Sequence, residues 1–203
     1  MRRLIIASFI LGMSGCVTPV SYHIPQTTPK GKVSGGAALT YWGSMYGSSR
    51  YPLFAPFIRF GLSENLDFGI GFEGLPIGGL TTIDIKYQFL QGDFNGSLRV
   101  GIGAQLAGFM PYASLSFGTK VFYAGFGAQY WSIKTEVFNE AVEMSTFSPQ
   151  AFLGFMLGDG NLKFVPELNI MMLIASVTLF GQTATRGTIV YKLGIGLAYI
   201  PSK

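Results

Sequence analysis

The chain has 203 residues and a formal charge of +4; 49% of its residues are apolar, 15% aromatic and only 12% charged. That length suits one domain rather than two, and the share of charge is about half that of an ordinary soluble domain. No apolar run reaches the roughly 18 residues of a spanning helix; the nearest, residues 170–180, is interrupted by Ser176 and Thr178.

Met1-Arg2-Arg3 leads into an apolar run over residues 4–11, followed by Ser14, Gly15 and Cys16. A basic start, a short apolar stretch and small residues before a cut site describe a secretory signal peptide over residues 1–15. Cys16 is the sole cysteine, so no internal disulfide can form. Removal of Arg2 and Arg3 lowers the charge to +2, which gives no reason to expect a nucleic-acid partner. Residues 16–32 carry Pro19, Pro25 and Pro29 among Gln, Thr and Ser with no periodic apolar face, the composition of a tether.

From residue 33 to residue 199 the apolar period is two. Leu66, Phe68, Ile70 and Phe72 alternate with Asp67, Gly69, Gly71 and Glu73, and the same alternation runs through 82–89, 97–106 and 188–199. An apolar chain with no helical span has one other way across lipid, a closed barrel. The pattern predicts ten strands, near 33–42, 53–61, 66–73, 80–89, 97–107, 112–118, 121–132, 146–157, 162–172 and 188–199. Eight is the alternative count, because the sixth is short. Most approach the ~9–11 residues a tilted transmembrane strand needs. Tight connections at 63–65 and 119–120 alternate with longer ones, including 133–145 and 173–187, as in barrels with short periplasmic turns and longer outer loops. Pro56, Pro149 and Pro166 fall inside these strands and call for bulges or displaced strand ends.

Charge placement separates a membrane barrel from a soluble sheet. Arg59, Asp67, Glu73, Asp84, Lys86, Arg99, Lys163, Glu167 and Lys192 can all be placed on the face opposite the aromatic and branched residues. A lipid-facing Lys or Arg at mid-depth costs about 2–4 kcal/mol, so these nine belong in the lumen, as a pore lining or as a closed ion-pair network. Plugging by such a network is favoured over open flow, since barrels of about eight strands are filled by their own side chains. Tyr41, Trp42, Tyr87, Phe89, Tyr130, Trp131, Tyr191 and Tyr199 are read as interface girdles.

Two segments resemble known signals. Met13-Ser14-Gly15-Cys16 resembles a bacterial lipobox, with methionine where leucine is usual. That resemblance implies acylation of Cys16 by lipoprotein-processing enzymes, and Val17 lacks the aspartate that commonly retains such proteins at the inner membrane. Lys192, Gly194, Leu197 and Tyr199 resemble the C-terminal signal of outer-membrane barrels, which implies recognition by the barrel-assembly machinery; four residues follow Tyr199 where many family members stop. Over residues 33–199 the chain resembles small bacterial outer-membrane β-barrel proteins. The fold implied is all-β, an antiparallel up-and-down transmembrane barrel surrounded by outer-membrane lipids. It would be lipid-anchored through Cys16, with both mature termini periplasmic.

Candidate chemistry is sparse. Gly69-Ile-Gly71-Phe-Glu-Gly74 matches a dinucleotide-binding string, but Leu75-Pro76 follows where a helix must open. His23, the one histidine, sits in the tether, away from any place on the barrel where it could serve as a general base. Glu136, Glu140 and Glu143 could form an acidic helical turn in an outer loop, more simply read as solvated than as a metal site. The expectation is a structural, surface-contact or narrow-pore role, with no catalysis, cofactor or metal and no defined oligomeric state. The rivals are a transporter of small or apolar molecules and a soluble lipocalin-like ligand-binding lipoprotein.

Overall fold

The computed structural model describes residues 22–44, 52–74, 79–105, 108–137, 140–179 and 182–202. Cys16 and the signal segment lie outside the described residues. Ten strands follow in chain order: β1 (Val33–Ser44), β2 (Pro52–Gly61), β3 (Leu66–Glu73), β4 (Leu80–Leu90), β5 (Asn95–Gln105), β6 (Gly108–Gly118), β7 (Phe122–Val137), β8 (Glu140–Phe155), β9 (Leu162–Leu179) and β10 (Gln182–Tyr199). Each pairs antiparallel with its sequence neighbours, and β10 returns to β1 through Gly35 opposite Tyr199, closing an all-β barrel. The short sixth element is a full strand, so the count is ten rather than eight.

Alternation of side chains along each strand makes the barrel polar inside and apolar outside. In β4, Leu80, Thr82, Asp84, Lys86 and Gln88 are buried, while Ile83, Ile85 and Tyr87 are exposed on the outer wall, Ile83 by 46%. Val100 in β5 is exposed by 53%. A soluble ligand-binding barrel would have the opposite polarity, with its apolar side chains inside.

Tight connections at 62–65, 91–94 and 119–121, together with 156–161, gather at one end, with the start of β1 and the end of β10. We refer to this as the turn end and to the other as the loop end. At the loop end the strands differ from expectation. Residues 133–137 and 140–145 belong to β7 and β8, and 173–179 and 182–187 to β9 and β10, where long loops were predicted. Cross-strand hydroxyl pairs hold the second ribbon: Ser176 with Thr185 and Thr178 with Thr183, each at 2.9 Å. Glu136 accordingly lies in β7, and Glu140 and Glu143 in β8, in extended chain rather than on a helical turn.

The prolines need neither bulges nor displaced ends. Pro56 pairs with Ala37, Pro149 with Ala128 and Pro166 with Ile195, all in unbroken register. Each missing N–H can be lost where the ladder on the other side skips. The β2–β3 ladder passes from Phe57–Gly71 to the bridge Phe54–Gly74, and the β8–β9 ladder from Phe147–Ile174 to Gln150–Met171. Among the described ladders, the one register shift lies between Gln88 and Leu90.

Candidate functional site

The lumen holds the ionic groups. Arg59 donates to Asp67 Oδ1 through Nε at 2.8 Å and Nη2 at 2.5 Å, and Nη2 also reaches Asp84 Oδ1 at 2.6 Å. Arg99 donates to Asp84 Oδ2 at 2.6 Å, and the Tyr112 hydroxyl joins it there at 3.0 Å. Lys86 Nζ lies 3.4 Å from Asp67 Oδ2. All these groups are buried. Gly69 leaves room beside them: a Cβ there would lie 2.5 Å from an Arg59 guanidinium nitrogen and would push that side chain aside. Three cations share two carboxylates, with Arg59 bridging both, a geometry in which an ion-pair network can offset its desolvation.

A second pair sits toward the loop end. Lys192 Nζ is 3.0 Å from Glu73 Oε1, which also accepts from Thr40 Oγ1 at 2.8 Å and Trp42 Nε1 at 3.4 Å. Glu167 stands apart from both clusters. Lys163 is not in the network: at the turn end, its ammonium donates to the Gly158 carbonyl at 2.5 Å in an exposed position. The structure therefore brings five of the nine predicted residues into one cluster and two into a pair, gives Glu167 a different partner and leaves Lys163 at the rim.

That partner comes from the segment read as a tether. Residues 22–29 enter the lumen at the turn end, and Tyr22, His23, Ile24, Thr27 and Thr28 are buried there. His23 Nδ1 is 2.9 Å from Glu167 Oε1, and its backbone N–H donates to Glu167 Oε2 at 3.0 Å. The imidazole stacks on Phe152 with centroids 3.7 Å apart, and Tyr123 donates to Glu167 Oε2 at 2.6 Å. The barrel also takes up the segment's backbone. Lys86 donates to the carbonyls of Ile24 and Gln26, the Thr27 N–H donates to Gln88 Oε1, and the Thr28 N–H donates to Asp67 Oδ2. A Cβ at Gly196 would collide with the Tyr22 hydroxyl, so glycine there makes room for the plug.

Sequence reasoning missed this plug because its contacts run largely through main-chain groups, which leave no pattern in side-chain chemistry. The available signal was Tyr22-His23-Ile24, an aromatic and apolar triplet in an otherwise polar stretch. Between the plug, the turns and the tail lies an open cavity of about 850 Å³, lined by Gln26, Lys120, Asn161 and Lys163 among others. The tail folds against it: Ile200 and Ser202 donate their N–H groups to the carbonyl and side-chain oxygens of Asn161.

The tryptophans also differ from expectation. Trp42 bonds Glu73 and lies under Lys192, 5.2 Å from ring centroid to Nζ, so it faces the lumen rather than the lipid interface. Trp131 follows the inward series Tyr123, Gln129, while its neighbour Tyr130 is exposed on the outer wall. Tyr41, Tyr87, Phe89 and Tyr199 do face outward. Of the residues resembling an assembly signal, Lys192 and Gly194 face the lumen, and Leu197 and Tyr199 face out from the closing strand β10. Among the described residues no three His, Cys, Asp or Glu side chains are placed to hold a metal.

No protein-family model matches the chain, and no curated protein matches it. Among solved structures it is similar to the outer membrane protease OmpT from Escherichia coli, at 11% identity and TM-score 0.46, over 84% of this chain and 94% of that one. It is similar to the outer membrane protein OprG from Pseudomonas aeruginosa at 12% identity and TM-score 0.34, over 87% and 98% of the two chains. The N-terminal β-barrel domain of Pseudomonas aeruginosa OprF follows at 13% identity and TM-score 0.30, over 82% and 97%. Likeness at these scores assigns no role, and the function has to be argued from the lumen itself.

Proposed function

We propose that the chain is an integral outer-membrane β-barrel whose lumen is stoppered by its own N-terminal segment, a non-catalytic protein with a structural or surface-contact role. The observation that carries this reading is the seating of residues 22–29, held by Glu167, Lys86, Gln88 and Asp67. A segment bonded through its backbone at this many points is an ordered part of the barrel rather than a loose tail. The membrane location is supported by the outer wall, where Leu39, Ile70, Ile83, Val100, Phe126 and Ile170 are exposed. An exposed apolar surface this broad is unfavourable in water and favourable in hydrocarbon.

Lipids of the outer membrane are the first partners, with the turn end periplasmic and the extended hairpins β7–β8 and β9–β10 on the outer side. Cys16 is acylated in this reading, and the closing strand β10 engages the assembly machinery. His23, the chain's one histidine, is stacked on Phe152 and bonded to Glu167 as part of the stopper.

The test is conductance in planar bilayers. The mature chain should insert, show heat-modifiable migration on gels and pass no current above background. Deletion of residues 17–31 should give discrete channel openings. A mature chain that conducts as well as the deletion variant would remove the stopper from the account.

A further inference from the structure

Three of the four carboxylates buried in the lumen are paired with arginine or lysine. Asp67 meets Arg59 and Lys86, Asp84 meets Arg59 and Arg99, and Glu73 meets Lys192. The fourth, Glu167, is paired with His23 at 2.9 Å, and among the described residues no arginine or lysine forms an ion pair with it. Histidine is the one side chain whose ordinary charge change falls between pH 5 and 8. The stopper's grip on β9 therefore differs in kind from the other luminal pairs.

The contact is stronger with a charged ring. A carboxylate only accepts, so a neutral imidazole must carry its proton on Nδ1 and offers Glu167 an ordinary hydrogen bond. An imidazolium offers the same bond with the assistance of a full charge. The ring also lies on Phe152, with centroids 3.7 Å apart and planes 16° from parallel, and an aromatic face attracts a cation. Both groups are buried, with 5% of His23 and 7% of Glu167 exposed, so salt screens little of the difference. Once the ring is neutral, Glu167 keeps its bonds from the His23 N–H and the Tyr123 hydroxyl. It is then a buried anion without a cation in contact, which is costly.

We propose that the His23–Glu167 contact makes closure of the barrel sensitive to pH, with mild acid seating the stopper more firmly and a rise above neutrality loosening it. The proposal rests on the stoppered-barrel reading. Its direction follows from linkage: a proton held more tightly when the segment is seated favours the seated state wherever that proton is available. The other ionisable groups around the pair are Tyr22 beside it on the segment, Tyr123 on β7 and, at longer range, Lys192 on β10, which is bonded to Glu73. Phe152 on β8 brings no charge. Further along the segment, Lys86 on β4 and Asp67 on β3 hold the main chain of Ile24, Gln26 and Thr28. Lys86 is therefore the rival source of any pH effect.

Amide hydrogen exchange on the full-length mature protein in lipid nanodiscs, checked for folding by heat modifiability, reads the seat directly. Exchange of the stretch 22–28 is divided by that of the same peptide free in solution at the same pH, which removes the chemical effect of pH. Between about pH 5.5 and about pH 7.5, within the range where histidine ordinarily changes charge, protection should fall at least about fivefold in the native chain. His23→Gln and Glu167→Gln should both abolish that fall, leaving less than about a twofold change. Lys163→Ala, outside the seat, should retain it. Equal protection of the native segment at the two values overturns the proposal. So does a fall of native size in His23→Gln, which would assign the sensitivity to Lys86. A segment unprotected at both values would sink the stopper reading itself, so the two failures are separable.

Discussion

His23 and Glu167 are 144 residues apart in sequence, yet the imidazole Nδ1 lies 2.9 Å from the carboxylate Oε1, and the same residue's backbone N–H bonds Oε2 at 3.0 Å. One carboxylate on β9 therefore grips the plug twice, through a side chain and through the main chain. Glu167→Ala should loosen this grip without emptying the rest of the lumen. The loss of two bonds to a charged acceptor, about 1.5–3 kcal/mol each at most, predicts brief openings at least ten times as frequent as in the native chain. Single-channel recording in planar bilayers checks this, and an opening frequency equal to the native one would detach His23 from any role in closure.

Arg59 bridges Asp67 and Asp84, and both carboxylates are fully enclosed. Arg59→Met keeps the volume but leaves two buried anions short of a partner. Such a deletion costs on the order of 3–5 kcal/mol. Urea-induced unfolding from lipid vesicles, followed by the shift on gels, should show a loss of that size. Lys163→Ala, at an exposed rim position, should change stability by less than ~0.5 kcal/mol. Equal effects of the two substitutions would contradict the placement of Arg59 at the centre of the network.

The outer wall makes a depth-dependent prediction. Ile83→Arg on β4 lies well inside the apolar belt and should cost ~2–4 kcal/mol, whereas Val33→Arg at the turn end should cost ~0–1 kcal/mol. The same unfolding assay measures both. Were Ile83→Arg tolerated as well as Val33→Arg, the surface that carries Ile83 would face water.

Tryptophan orientation can be read directly. With Trp42 and Trp131 facing the lumen, lipids brominated on their acyl chains should quench native fluorescence only weakly. A Tyr41→Trp substitution in a chain whose two tryptophans are replaced by phenylalanine places an indole on the outer wall and should be quenched strongly. Comparable quenching in both proteins would return the native tryptophans to the interface girdle.

How much of this the sequence discloses depends on the kind of interaction. Ile83, Ile85 and Tyr87 against Asp84, Lys86 and Gln88 show a period of two, because each strand separates two unlike media. The ten-strand count and the inner face follow from that. The extent of β7 to β10 was hidden, since Ser176, Thr178, Thr183 and Thr185 read as loop residues, although their hydroxyls pair across the ribbon. Pro149 suggested an irregularity that the ladder absorbs by skipping two residue pairs. Trp42 was misassigned because an indole near a strand end suits the interface, and only its bond to Glu73 shows which way it turns. The plug was least legible of all, since Lys86 and Asp67 bind its carbonyls and N–H groups, which every sequence possesses.

The plug also fixes a length. Cys16 precedes Tyr22 by six residues, and an extended chain covers at most ~3.3–3.6 Å per residue, about 20 Å in all. Tyr22 is held inside the barrel against Gly196, so in the lipid-anchored form proposed above a fatty acid on Cys16 would lie within that span of Tyr22. Seating the stopper winds that segment in, and releasing it would pay out another eight residues. In that proposed form, the reach of the anchor and the closure of the bore would depend on one short segment.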